Sequence, residues 1–242
     1  MELTIKQQLE KLEHKPTISR SKAETLHLAQ ELLKKMTLAE KIGQMFQLAP
    51  PEANVEGLKW EHGEENSSAK LICEGKVGSV LSVTDSETIF KLQKLAVEKS
   101  RLGIPLFFAA DMIHGCRTGF PINLAMACSF DPDLIERSCR QLAYEIAHTG
   151  LNLTFSPMVD LVRDPRWGRV MESNGEDTYL NSQLAAAYVR GYQQGDYSSA
   201  YSVAACCKHF VAYGAVEGGR EYNTVDMSER ELRQHYLPGY KA

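Results

Sequence analysis

The feature that most constrains this chain is a regular alternation of short β-prone runs with amphipathic helical stretches. Residues 77–83, Val-Gly-Ser-Val-Leu-Ser-Val, form the first such run. A helical pattern follows over 85–100, with Ile89, Leu92, Leu95 and Val97 on or near one face. Residues 105–110 are almost continuously apolar, as expected of a strand covered on both faces. A helix over 134–148 is entered through Asp131-Pro132-Asp133, where Pro132 suits a first turn. A third strand is expected over 151–157, an alanine-rich helix over 178–194 and a fourth strand over 201–207. A last helix over 228–236 opens with the capping-box pattern Ser228-Glu229-Arg230-Glu231.

Strand and helix repeated four times predict parallel β/α units. No Gly-x-Gly-x-x-Gly turn follows a strand, which disfavours a dinucleotide fold. Polar residues gather just after strand ends: Asp111, His114, Asp160, Arg163, Lys208 and His209. Barrel active sites are built at that C-terminal face. A complete eight-unit barrel needs about 250 residues, and here the first strand is expected only at Val77. The fold class is therefore α/β, a partial (β/α)8 TIM-type barrel of about four units, preceded by an N-terminal helical segment.

Ahead of the first strand, residues 1–20 read as a loose helical extension punctuated by Pro16. Apolar positions from Leu26 to Met45 recur at helical spacing, in one helix ending near Lys35 and another starting at Thr37. Thr37 and Glu40 have the spacing of a capping box. Residues 50–69 read as a polar loop. The expected division is residues 1–70 as helical extension and loop, and residues 71–242 as barrel.

The formal net charge of −4 gives no basic field to hold a nucleic-acid backbone. No apolar run approaches the roughly 20 residues that span a bilayer, and residues 1–8 lack the apolar core of a signal peptide. A cytoplasmic location is the expectation. None of the six cysteines stands in a Cys-x-x-Cys pair. They read as small buried thiols of a reducing compartment, with no metal site.

Three motifs in order carry a resemblance: Asp111-Met112-Ile113-His114-Gly115 after the second strand, Arg163-Asp164-Pro165-Arg166-Trp167-Gly168-Arg169 after the third, and Lys208-His209-Phe210 after the fourth. With the stretch from Met36 to Met45 and Gly119-Phe120-Pro121-Ile122, they resemble the N-terminal barrel of glycoside hydrolase family 3. The resemblance runs from about Lys34 onward. It implies a retaining β-glucosidase acting on terminal non-reducing glucosyl residues. β-Xylosidase activity, or a catalytically dead sugar-binding half barrel, is the alternative. It also implies that Asp111, Arg169, Lys208 and His209 bind the substrate sugar, with Arg220 a weaker candidate for the same ring. The chemistry fits a polyol, because carboxylates accept from hydroxyls while Arg and Lys donate to their oxygens. Arg163 and Arg166 read as loop-stabilising, and Arg169 could equally pair with Glu172 or Glu176. His114 reads as structural, and Trp167 as either sugar platform or core.

Lys208-His209-Phe210 continues as Val211-Ala212-Tyr213-Gly214, without the Pro-Gly-His-Gly-Asp stretch of the N-acetylglucosaminidase branch. In relatives the Lys-His-Phe turn can carry non-proline cis peptides, so at least one is expected beside His209. Family members use two carboxyl groups, one a nucleophile in a Ser-Asp-Trp-like motif, which does not occur before Ala242. No catalytic residue is therefore expected within this chain. No cofactor or metal is implied. The expected partners are a β-glucoside or oligosaccharide, and a complementing C-terminal half or a second copy at the open barrel edges. Neither nucleic acid nor membrane is expected.

Overall fold

The computed structural model describes residues 20–50, 68–195 and 197–242. The expected extension over 1–19 and most of the loop over 50–69 lie outside these residues. The chain divides into two compact units: one runs to Phe108 and includes the turn ending at Ser202, and the other comprises Ala109–Gly195 and Val203–Ala242.

In the first unit, α1 (Lys22–Lys35) and α2 (Leu38–Gln44) both start at capping boxes. The Thr37 hydroxyl accepts from Glu40 N at 3.2 Å, while the Glu40 carboxylate accepts from Thr37 N at 2.8 Å. The same carboxylate takes Nε and Nη2 of Arg101, at 2.9 and 2.6 Å. The Arg101 hydrogen bonds lead, the Thr37 cap adds to them, and burial opposes both. Together they hold Glu40 near 2 instead of its ordinary 4.5. Stability from this carboxylate is complete above about pH 4.5 and is lost as pH falls toward 2. Urea midpoints of the wild type and Glu40→Gln should therefore differ near pH 6 and converge as the pH approaches 2.

Strand β1 (Gln47–Leu48) pairs in parallel with β2 (Ser79–Leu81), Gln47 beside Ser79 and Leu48 beside Val80. The turn before β2 needs a glycine: a Cβ on Gly78 would stand 2.2 Å from the Gln44 carbonyl oxygen. Helix α3 (Ser68–Cys73) precedes β2, and α4 (Ser86–Lys99) follows it, capped by the Asp85 carboxylate on Thr88 N at 2.7 Å. The α4 face that is buried is Ile89, Leu92 and Ala96. Strand β3 (Phe107–Ala110) begins in this unit, where Phe107 N donates to Gly78 O at 3.1 Å.

In the second unit the end of β3 pairs in parallel with β4 (Leu153–Thr154), and β4 with β5 (Ala204–Ala205). Helix α5 (Asn123–Ala127) is short. Helix α6 (Pro132–Thr149) has Pro132 in its first turn, the Asp131 cap ahead of it, and a left-handed Gly150 (φ 92°) as its stop. It buries Ile135, Cys139, Leu142, Ala143 and Ile146, one stripe at helical spacing. Helix α7 (Thr178–Gln193) packs on it through small residues. A Cβ on Gly191 would lie 2.5 Å from Cys139 Cβ and 2.6 Å from Glu136 O. Gly191→Ala should lower stability by about 1–3 kcal/mol by forcing the two helices apart, read as a lower urea midpoint at unchanged slope.

The structure corrects four expectations. The first strand is β1, before 77–83, because a two-residue strand has no periodicity of its own and its neighbours continue a helical spacing. The later strands are shorter than their apolar runs, since the flanking residues pack without ladder pairing. Ser68 and Ala69, expected as the end of the loop, instead open a helix that runs to Cys73. The last box forms only in part: the Ser228 hydroxyl accepts from Glu231 N at 3.2 Å, but Arg163 takes the Glu231 carboxylate at 2.6 Å. The helix beginning at Glu229–Glu231 (α8) then widens to a π turn at Leu232–Tyr236, and Pro238–Lys241 (α9) follows.

Candidate functional site

The second unit gathers all four expected sugar-binding residues. Asp111 follows β3 directly. Lys208 is placed beyond β5 by continued parallel pairing: Lys208 N donates to Pro157 O at 3.0 Å, and Val159 N to Lys208 O at 2.7 Å. The Lys208–His209 and Phe210–Val211 peptides are cis, the first as the resemblance implied. Lys208 Nζ donates to Asp111 Oδ1. The Lys208 side chain is only 12 % exposed and that of Asp111 52 %. The cation is therefore recessed, and the carboxylate stands out toward solvent.

Arg169 comes from the loop after β4, at the start of the tight turn Val170–Glu172. Its Nε and Nη2 donate to the two Glu172 oxygens, each at 2.7 Å, and Nη1 meets His209 Nε2 at 3.3 Å. Arg169 thus makes the Glu172 pair and also joins the cluster. The pairing drives both proton affinities apart. Arg169 holds Glu172 below the usual carboxylate range against the opposing effect of burial, and Glu172 pushes the guanidinium higher.

His209 is gripped from behind. The Asp160 carboxylate, 1 % exposed, accepts from His209 N at 3.0 Å and pairs with Nδ1 at 2.7 Å through the same oxygen. The Asp160 carbonyl in turn accepts from Ser173 Oγ at 2.7 Å. Tyr213 meets the imidazole edge-on, with centroids 4.9 Å apart, and lies 5.7 Å from the Arg169 guanidinium carbon. Burial raises the Tyr213 phenol, and its hydrogen bond to Glu221 raises it further. Asp160 as the partner of His209, and Tyr213 as the ring beneath it, were not foreseen. A lone carboxylate inside the apolar run over 158–162 was the available signal for Asp160.

The other candidates separate cleanly. Trp167 is core, not platform: it is 2 % exposed and packs with Met158, Val162 and Val216. Arg163 pairs with Glu231 and Arg166 with Asp164, both tying down loops as expected. Arg220 is exposed, and its backbone alone is seen bonded, to Glu217 and Asn223. His114 is exposed and contributes its carbonyl to Phe120 N. Only Cys139 is buried. The other cysteines are partly or fully exposed, because they stand at helix ends and in loops beyond short strands, at the edge of the core. Among the described residues no cluster of His, Cys, Asp and Glu could hold a metal ion, and no helix is long and apolar enough to cross a membrane.

The arrangement can do specific chemistry. It sets three carboxylates, Asp111, Asp160 and Glu172, against two cations, Arg169 and Lys208, a balance that favours a neutral ligand over an anionic one. Glu172 and His209 engage three of Arg169's five N–H groups, and Lys208 has two beyond the one given to Asp111. Recessed donors beside an open carboxylate match the mixed donor and acceptor character of hydroxyls. An open groove of about 410 Å³ borders the cluster, lined by Arg169, His209, Phe210, Tyr213 and Tyr222 among others.

Comparison with known proteins places the chain in a family. The glycosyl hydrolase family 3 N-terminal domain model matches residues 37–242. The periplasmic β-glucosidase of Salmonella typhimurium is 46 % identical over 88 % of this chain. The periplasmic β-glucosidase/β-xylosidase of Dickeya chrysanthemi is 31 % identical over 86 %. The crystal structure of the Listeria innocua β-glucosidase in complex with isofagomine superposes with a TM-score of 0.77 at 49 % identity, over 88 % of the chain. The chain spans 26 %, 35 % and 30 % of those proteins, respectively. Two of these relatives are named as periplasmic, which overturns the cytoplasmic expectation. A mature fold of ordinary composition does not record its compartment. The alternating β/α units belong with the barrel domains of these enzymes. Matched over most of its length, the chain belongs to glycoside hydrolase family 3 and corresponds to that family's N-terminal domain.

Proposed function

We propose that this chain supplies the sugar-binding part of a retaining β-glucosidase. Asp111, Lys208, Arg169 and His209 hold the terminal glucosyl residue whose bond is cleaved. One observation carries the reading: residues from three separate strand ends converge into a single cluster of interleaved carboxylates and cations with open hydroxyl-binding valences. The nucleophile and the general acid are assigned to segments outside this chain, because no carboxylate here stands at a matching motif position. The barrel is taken to begin with β1 at Gln47 and to run to residue 242, which moves the expected boundary at residue 71 ahead of that strand. Glucose is favoured over xylose because the relative named solely for β-glucosidase activity is the more similar of the two, at 46 % against 31 % identity.

The test is hydrolysis of p-nitrophenyl β-D-glucoside and β-D-xyloside by the polypeptide expressed from its native gene. A higher kcat/KM for the glucoside supports the reading. Preference for the xyloside moves the substrate to the alternative. Turnover of neither, with no binding of glucono-δ-lactone, rejects a glycosidase site.

A further inference from the structure

We infer that Asp160 is a positioning residue that fixes His209 as the neutral Nδ1–H tautomer, so that the sugar-binding cluster meets a lone pair at Nε2. The argument is one of valence. A guanidinium has donors only, so the contact of Arg169 Nη1 with Nε2 at 3.3 Å requires an acceptor there. The proton then sits on Nδ1, which is 2.7 Å from a carboxylate able only to accept. The backbone N–H of His209 reaches the same Asp160 oxygen, so ring and main chain are oriented by one buried group. Of the other titratable groups near the imidazole, the two cations oppose a second ring proton, and the one carboxylate among them is engaged elsewhere. Arg169 is a fixed cation at Nε2, Lys208 is the adjoining cation, Glu172 is already taken by Arg169, and Tyr213 presents its ring edge-on.

The consequence concerns specificity, and it rests on the sugar-binding reading proposed above. With Nε2 unprotonated, a hydroxyl entering beside Arg169 donates to His209 and accepts from the guanidinium, a pairing that an ether or fluorine at the same sugar position cannot complete. A protonated Nε2 would set two donors side by side and remove that preference.

The experiment is ¹⁵N-detected imidazole spectroscopy of the whole chain at pH 7, without and then with glucose, on wild type and Asp160→Asn. The expected wild-type spectrum has His209 Nδ1 protonated and Nε2 bare. In Asp160→Asn the Nε2–H tautomer becomes populated and glucose binding weakens about 10-fold, the scale of one well-aimed hydrogen bond. A wild-type Nε2–H signal overturns the inference, and so does an unchanged tautomer in folded Asp160→Asn. If Asp160→Asn does not fold, the wild-type spectrum alone decides the tautomer. A correct tautomer in a chain that binds no sugar sinks the functional proposal and leaves this inference standing.

Discussion

Asp111→Ala is expected to weaken binding of glucose or glucono-δ-lactone by about 10- to 150-fold, the equivalent of about 1.5–3 kcal/mol for hydrogen bonds to a charged group. The reason lies in its geometry. Asp111 gives one oxygen to Lys208 and keeps the rest of a half-exposed carboxylate free to accept from a ligand. Removing it deletes those acceptors and releases Lys208 from the position in which its remaining protons face the same space. The fold should be affected far less. An ion pair with one partner half in solvent contributes no more than about 1 kcal/mol, so the melting temperature should fall only slightly. Titration calorimetry beside a thermal melt separates the two effects. Binding within threefold of wild type would remove Asp111 from the site.

Trp167→Ala should be the most damaging single change to stability, lowering it by about 3–5 kcal/mol in urea unfolding. The indole is 2 % exposed and fills the space between Met158, Val162 and Val216. Its ring also meets Tyr213 edge-on, with centroids 5.2 Å apart, and Tyr213 in turn borders His209 and Arg169. The cavity would therefore open directly beneath the sugar-binding cluster. Trp167→Phe offers the contrast. The indole N–H is buried without a hydrogen-bond partner in the structure. Phenylalanine keeps an aromatic ring and loses a donor whose burial is itself unfavourable. It should therefore lose clearly less stability than alanine. Equal losses for the two variants would show that the site does not depend on ring packing.

The long-range architecture was legible because parallel β/α units write themselves in period. The stripe Ile135, Cys139, Leu142, Ile146 has the period of a helix, and the Phe107–Ala110 run is short and follows Gly103 and Pro105, which favours a covered strand. Capping was legible where its partners were uncontested, as at Thr37 and Glu40. At Ser228 only the hydroxyl half of the box formed, because Arg163, distant in sequence, claimed the Glu231 carboxylate. Strand β1 was illegible for a different reason. Two residues form a strand because β2 offers them a ladder, and that partner lies beyond any local window. At the site, the four side chains were legible as motif positions after strand ends. What holds them was not. Asp160 reads as one more polar residue until the fold turns His209 onto it, and the partners of Arg169 stayed open until the turn at Val170–Glu172 set it against both Glu172 and His209.

The most direct test of the central claim is a crystal structure of this chain soaked in glucose. The account predicts one sugar in contact with Asp111, Lys208 and Arg169, with Nε2 of His209 within hydrogen-bond distance of a hydroxyl. Glucose bound at some other surface, while those four side chains keep the contacts described above and remain empty, would contradict it.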